Sequence, residues 1–130
     1  MNFSGLPSMQ HAFHLSVKGS DTGQSYDGDF IYQRPNYSQK ANAAKLTAKL
    51  NGDLISIDDT IKFVNSILGH LKFTLIECPD WWEKSNYGLD LFDDNVILAI
   101  FKTTEKFEED WHNEVWKKEP SKPNIKDDDK

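Results

Sequence analysis

Cysteine is almost absent from this sequence of 130 residues, and its scarcity excludes two common ways of stabilising a small domain. Cys78 stands alone, so neither an internal disulfide nor a zinc site built from cysteines can form. A single free thiol fits a reducing compartment. Long apolar runs are missing too, since no stretch reaches the roughly 18 apolar residues that a membrane-spanning helix needs. Residues 1–11 lack the basic start and apolar segment of a signal peptide, so we expect a cytosolic protein without membrane contacts.

Positive charge is also in short supply. The formal net charge is −6, and residues 77–116 alone carry eleven acidic and three basic side chains. No basic stripe is present that could neutralise a phosphate backbone, so nucleic acid is not an expected partner. The apolar fraction of 38% is ordinary for a folded domain. Composition and length therefore predict one globular domain with a single modest core.

The N-terminal part of the chain predicts a β-hairpin. Apolar and polar side chains alternate over residues 12–18 and again over 26–32, with turn-forming residues between them at 19–25. A hairpin by itself is marginally stable in water, so this one must pack on the rest of the domain. Residues 1–11 precede it as an irregular arm. The side chains expected on the core-facing side of the hairpin are Phe13, Leu15, Val17, Tyr26, Phe30 and Tyr32.

Helix signals follow the hairpin. Ser38, Asp58 and Asp93 are each placed to cap the N-terminus of a helix, and Pro79 ends the second helix because proline cannot continue it. The second helix carries a broad apolar stripe, which is typical of a central, well-buried helix. This stripe includes Ile61, Phe63, Val64, Ile67, Leu68, Leu71 and Leu75. The helices are expected over residues 39–50, from 59 to about 77 or 78, and from 94 to about 117.

These elements predict an α+β fold, an N-terminal β-hairpin followed by a small bundle of about three helices. Short connections favour antiparallel packing of neighbouring helices. The side chains of the first helix are small, so another element could approach it closely. We expect one domain over residues 12–118 and a charged, flexible tail over 119–130, which has two prolines and no core residues.

No catalytic or metal-binding constellation emerges from the spacing of reactive residues. Glu109 and His112 form one half of a carboxylate-bridged metal motif, but no second copy exists. Cys78 and His70 lie near the expected end of a helix, where a thiol pKa is raised rather than lowered, so Cys78 is expected to be a structural residue. We therefore expect a protein that is not an enzyme and that binds neither a metal nor another cofactor.

The tryptophans form the strongest signal for binding. All four lie between residues 78 and 116, and Trp81 and Trp82 are adjacent. Adjacent side chains project in different directions, so we expect one of this pair to reach the core and the other to anchor a partner protein. Trp111 falls on the apolar stripe of the last helix and is expected in the core. The candidate partner-binding residues are Trp81, Trp82, Tyr87, Phe92 and Trp116.

Several short motifs occur in a fixed order along residues 13–116. They are Thr22-Gly23-x-x-Tyr26-x-Gly28-x-Phe30, Arg34-Pro35, Leu50-Asn51-Gly52, Pro79-Asp80-Trp81-Trp82, Gly88-x-Asp90-Leu91-x-Asp93, Asn95-Val96 and Phe107-Glu108 with Trp111. This order resembles small proteins encoded among the tail and morphogenesis genes of bacteriophages, tail-assembly-chaperone-like proteins among them. The resemblance implies a non-enzymatic protein of the host cytoplasm. It would bind other phage tail proteins, such as a tape-measure protein, while the tail forms, and it could form a homo-oligomer.

Two other functions are compatible with the sequence. The protein could be a structural component that is retained in the virion at a tail or head–tail junction. It could also be an acidic phage protein whose residues 77–116 mimic nucleic acid and inhibit a host nucleic-acid enzyme, which would require carboxylates spaced like phosphates.

Overall fold

The computed structural model describes residues 5–52 and 58–117, which form an antiparallel sheet packed against helices. The N-terminal hairpin is followed by helices, so the predicted α+β class is confirmed. The strand order is β1-β2-β3, which places β2 in the centre. The elements in chain order are β1 (Gln10–Lys18), β2 (Ser25–Gln33), α1 (Tyr37–Asn51), α2 (Asp59–Thr74), β3 (Leu75–Glu77), α3 (Asp80–Lys84) and α4 (Asp94–Lys117).

The hairpin starts earlier than the sequence predicts. Strand β1 pairs with β2 from Gln10 opposite Gln33 to Lys18 opposite Ser25. Just outside this ladder, the amide of Arg34 donates a hydrogen bond to the carbonyl of Met9. The irregular arm therefore ends near residue 9 rather than 11, because the partner strand offers backbone groups that extend the pairing. Residues 1–4 of the arm and the predicted tail over 119–130 lie outside the described residues.

The sheet has a buried face and an exposed face. Leu15, Tyr26 and Phe30 point into the core, as the alternating pattern predicts. On the opposite face, the His14 ring bonds Asp29 at 2.7 Å and Asp27 at 2.8 Å. The hydrogen bonds with Asp29 and then Asp27 raise the pKa of His14. The core beneath the sheet is completed by residues of α2, α3 and α4, among them Ile67, Leu68, Leu71, Trp82, Val96, Ile97 and Ile100.

Helix α1 begins two residues before the predicted start. The cap is Asn36 rather than Ser38, and Asn36 forms a reciprocal capping box with Gln39. The helix has no buried side chain and lies antiparallel to α2, since Asn51 bonds Asn65 and Gln39 bonds the carbonyl of Phe73. The two helices approach closely at Gly69, where an added Cβ would collide with Thr47 and the Ala43 carbonyl. The expectation that small residues permit a close approach is confirmed.

Helix α2 is capped by Asp58, as predicted, with Asp58 accepting from the amide of Thr60 at 2.8 Å. Its end is not where the sequence predicts, because the helix stops at Thr74 and residues Leu75–Glu77 form β3. The open edge of β2 provides the backbone partners that convert this segment into a strand. The predicted burial also fails at the start of α2, where Ile61 and Phe63 are 50% and 51% exposed.

Helices α2 and α4 run in the same direction, so the prediction of antiparallel packing is wrong for this pair. Phe63 of α2 packs edge-on against Phe101 of α4, with ring centroids 5.9 Å apart. Seven residues further along each helix, His70 and Glu108 both bond the hydroxyl of Tyr32. The physical reason is the long connection through β3 and α3, which carries the chain back along the sheet before α4 begins.

Helix α4 has the predicted bounds. The side chain of Asp93, which was predicted to cap this helix, bonds the hairpin instead. Its carboxylate accepts hydrogen bonds from the amides of Asp21 and Thr22 and from the hydroxyls of Thr22 and Tyr26, all at 2.6–2.8 Å. Asp93 is fully buried, and these donors, the Thr22 hydroxyl first, lower its pKa from 3.8 to about 2. The side chain therefore fastens the hairpin turn to the start of α4. Asn95 adds to this contact by accepting from the Ser20 amide and donating to the Lys18 carbonyl.

Candidate partner-binding loop

Residues 79–92, here called the aromatic loop, connect β3 to α4 and contain four of the five candidate residues. The short helix α3 opens the loop and fixes Trp82 as its internal anchor. Trp82 is 1% exposed and packs edge-on against Phe30, with ring centroids 6.4 Å apart. Its Nε1 has no hydrogen-bond partner among the described residues. Trp82 is thus the core-facing member of the tryptophan pair, which confirms that one of the two is internal and excludes Trp82 as a surface anchor.

Trp81 is half-buried, contrary to the expectation that the second tryptophan stays in water. Its Nε1 donates to the carbonyl of Asp27 at 2.9 Å, and its ring packs edge-on against Tyr26 and Phe30. Both indoles find protein contacts because α3 packs against β2, where Phe30 meets both rings. Trp81 therefore fastens the loop to β2, and only part of its ring remains available to a partner.

The backbone of the aromatic loop is strained beyond α3. Asn86 and Tyr87 adopt left-handed conformations, with φ of 59° and 55°, and Gly88 follows with φ of 94°. Such a conformation costs a residue with a side chain about 1–3 kcal/mol. Hydrogen bonds hold the turn in place, from the Tyr87 amide to the Trp82 carbonyl and from the Gly88 amide to the hydroxyl of Ser85. Strained backbone of this kind concentrates at functional sites, where surrounding contacts maintain it.

The position of the turn depends on the absence of a side chain at Gly88. A Cβ on this residue would stand 2.6 Å from Cη2 of Trp82 and 2.8 Å from Cδ2 of Leu68. The loop backbone therefore rests directly on the buried indole and on α2. A side chain at this position would push the loop away from the core, so the turn packs directly against the Trp82 anchor.

The same loop exposes apolar side chains to solvent. Phe92 is 79% exposed although it immediately precedes the fully buried Asp93. Leu89 is 43% exposed, and Tyr87 is half-buried with Nζ of Lys72 3.4 Å from its ring centroid. The Glu83 carboxylate, followed by burial, raises the pKa of Tyr87. The loop thus carries a largely exposed Phe92, whereas only part of the Tyr87 side chain is accessible.

Trp116 does not belong to this surface. It is 59% exposed near the end of α4, whereas the aromatic loop precedes the beginning of the same helix. A helix of 24 residues separates its two ends by about 35 Å, given a rise of about 1.5 Å per residue. The structure therefore brings Tyr87 and Leu89 together in one pocket lining, leaves Phe92 exposed in the same loop, and places Trp116 on a distant part of the molecule.

A polar cluster that was not recognised in the sequence lies beside α4. The Tyr32 hydroxyl donates to Glu108 at 2.6 Å and contacts Nε2 of His70 at 3.0 Å, while Nε of Arg34 donates to Glu108 at 2.7 Å. The Arg34 guanidinium also stacks on Trp111, 3.7 Å from the ring centroid. Burial and then the bond to Glu108 raise the pKa of Tyr32, whereas burial lowers that of His70. The advance signals were the Arg34-Pro35 pair after the second strand and the Phe107-Glu108 motif with Trp111.

This cluster borders an open cleft of about 280 Å³, which His112 and Lys40 also line. Its polar groups bond one another and join β2 to α2 and α4, which is the arrangement of a structural crosslink.

Within residues 5–52 and 58–117, no group of three or more metal-ligating side chains is suitably placed for a metal ion. Burial, then Glu83 and Asp80, raises the pKa of Cys78. The direction is the expected one, but the predicted cause is wrong, because α2 ends at Thr74 and Cys78 follows β3 instead of a helix.

Comparisons with protein-family models, curated proteins and solved structures found no match to this chain. None of the helices that the structure describes combines the length and apolar character needed to cross a membrane.

Proposed function

We propose that this protein is a non-enzymatic bacteriophage protein that acts in tail assembly through protein–protein contacts. Its partner would be another tail protein, such as a tape-measure protein, in the host cytoplasm. Two kinds of observation support the proposal. One is the order of sequence motifs that resembles small phage tail and morphogenesis proteins, and the other is the construction of the aromatic loop.

The single observation that carries the binding role is the exposure of Phe92 next to the buried Asp93. The ring is 79% exposed, while the next residue is fully buried and accepts four hydrogen bonds from the hairpin. Exposed aromatic side chains on preorganised backbone are effective anchors, because little conformational freedom is lost on binding. The loop also keeps left-handed backbone at Asn86 and Tyr87, a kind of strain that concentrates at functional sites.

The test is the affinity of the purified protein for the tape-measure protein of the same phage, measured by biolayer interferometry. Phe92→Ala should weaken binding by about thirtyfold, corresponding to roughly 2 kcal/mol, while leaving the thermal midpoint within a degree or two. Tyr37→Ala is the matched control, since Tyr37 is 84% exposed but opens α1, outside the loop. Equal affinity of the Phe92→Ala variant and the original protein would reject the binding role of the loop.

Retention in the virion is the alternative for the same contacts. An assembly factor leaves the finished tail, whereas a structural component stays in it. Mass spectrometry of purified particles distinguishes the two, because a retained component appears at a fixed copy number and an assembly factor is absent.

A further inference from the structure

A small apolar pocket opens where α1, α2 and the aromatic loop meet. Its walls are Leu46 and Leu50 of α1, Leu68 of α2, and Tyr87 and Leu89 of the loop. The cavity volume is about 100 Å³, which is comparable with one branched aliphatic side chain. The pocket is thus suited to a single leucine, isoleucine or valine of a partner.

The strained turn forms one wall of this pocket. The left-handed conformation of Asn86 and Tyr87 turns the Tyr87 ring toward α2, where Nζ of Lys72 lies 3.4 Å from the ring centroid. Lys72 itself lines the pocket, and its ammonium group lies over the ring of Tyr87. At the other end of the ring, the Tyr87 hydroxyl donates to Glu83 over 3.4 Å. The wall therefore offers an aromatic face with a fixed positive charge beside it.

The two helices that wall the pocket carry lysines although the whole chain is acidic, whereas the aromatic loop contributes acidic residues such as Glu83. Helix α1 carries Lys40, Lys45 and Lys49 and no acidic residue, although the formal net charge of the protein is −6. Lys49 follows Leu46 by three residues, which places it on the helix surface beside the pocket. Lys40 instead lines the cleft on the other side of α1. Lysines on both α1 and α2 thus flank an apolar floor.

We propose that this pocket binds a short acidic segment of the partner protein, anchored by one aliphatic side chain. The aliphatic group fills the space between Leu46, Leu68 and Tyr87, and carboxylates on either side of it pair with Lys49 and Lys72. This inference rests on the proposed function, since it names the chemistry of the partner that the aromatic loop contacts. Phe92 would then make a second contact to the same partner, outside the pocket.

The direct test uses NMR titration of the full-length, isotope-labelled protein with the synthetic peptide acetyl-DELDE-amide. Binding should shift the amide signals of Leu46, Leu50, Leu68 and Leu89. The control peptide acetyl-DESDE-amide lacks the aliphatic anchor, and acetyl-NQLNQ-amide lacks the charges. Each should bind at least about fivefold more weakly than acetyl-DELDE-amide. No shift with the first peptide, or equal shifts with all three, would overturn the proposal.

Charge-reversal variants locate the binding site. The double variant Lys49→Glu with Lys72→Glu should abolish the shifts, whereas Lys40→Glu, on the same helix but beside the other cleft, should leave them unchanged. Circular dichroism confirms that each variant is folded. Binding that survives the double variant would reject the pocket as the site.

The chain itself offers a competing occupant, because Ile125 precedes Asp127, Asp128 and Asp129 in the sequence. A peptide of residues 121–130 that shifts the same amides more strongly than acetyl-DELDE-amide would show a self-contact and overturn the external partner. Affinity for the tape-measure protein separates this inference from the proposed function. Loss of binding in Phe92→Ala but not in the double lysine variant would refute the pocket while the loop's binding role stands.

Discussion

The most informative perturbation of the fold is the removal of Trp82. This indole is 1% exposed, and it lies among the largest fully buried side chains of the described residues. Truncation of a buried tryptophan to alanine costs about 3–5 kcal/mol. The upper part of that range is expected here, because Gly88 and Phe30 on two sides of the ring belong to a fixed turn and a central strand and cannot collapse into the space. A domain has roughly 5–15 kcal/mol of stability in total, so Trp82→Ala should leave a marginal fold.

Trp82→Phe tests the reasoning more finely. The Nε1 group of Trp82 is buried without a partner among the described residues, and a buried unpaired donor costs about 1–3 kcal/mol. Phenylalanine removes this donor together with part of the ring, so the penalty should fall well below half of that for alanine. Trp81→Phe is the matched comparison, because Nε1 of Trp81 donates to the Asp27 carbonyl and its loss should cost about 0.5–1.5 kcal/mol.

Urea denaturation followed by far-ultraviolet circular dichroism measures these differences without relying on tryptophan fluorescence. If the slope of the unfolding free energy against urea concentration is the same for all variants, then only stability has changed. The expected order of destabilisation places Trp82→Ala first, Trp81→Ala well behind it, and the two phenylalanine variants last. If Trp81→Ala were as unstable as Trp82→Ala, the assignment of Trp82 as the internal anchor and of Trp81 as a half-buried contact to β2 would be refuted. Equal penalties for Trp82→Phe and Trp82→Ala would refute the argument about the unpaired donor.

Three further predictions concern the contacts that hold the aromatic loop and α4 in place. Gly88→Ala should lower the thermal midpoint by several degrees more than Gly23→Ala, because both residues have positive φ but only the Gly88 position is blocked by Trp82. Since the pKa of Asp93 is about 2 in the folded protein and 3.8 ordinarily, its contribution to stability is complete above about pH 5 and is lost as the pH falls toward about 2. Thermal midpoints measured across that range should therefore vary less with pH in an Asp93→Asn variant. If the midpoint of the variant changed with pH as steeply as that of the original protein, the stabilising role of the Asp93 carboxylate would be contradicted. Glu108→Gln should cost about 1–3 kcal/mol in urea denaturation, since it leaves the half-buried Arg34 without an ionic partner, whereas the exposed Lys106–Asp110 pair can be removed by Asp110→Asn without measurable change.

Local sequence patterns determined most of the secondary structure. Alternation with a period of two identifies β1 and β2, because successive side chains of a strand point to opposite faces of the sheet. The cap at Asp58 and the limits of α4 are also readable, since backbone groups at helix ends need nearby polar partners. From these local rules follow the α+β class, the N-terminal hairpin and the core position of Trp111.

The candidate loop was only partly readable in the same way. The exposure of Phe92 and the half-burial of Tyr87 agree with a loop that presents aromatic side chains. The left-handed turn at Asn86 could not be anticipated, because it depends on the packing of Gly88 against the indole of Trp82. Nor could the sequence assign the two tryptophans, since their environments are set by the sheet and not by their neighbours in the chain.

Tertiary structure alone decided how the elements are arranged. Residues Leu75–Glu77 extend the apolar pattern of α2, yet they become β3 because β2 has an open edge to pair with. Asp93 has the sequence of a helix cap, but its carboxylate instead binds a turn more than 70 residues earlier. The contact between Tyr32 and Glu108 spans 76 residues, and the parallel course of α2 and α4 follows from the same kind of contact. Local patterns specify the hydrogen bonds and exposure of neighbouring residues, whereas such pairings depend on which distant surfaces meet when the core forms.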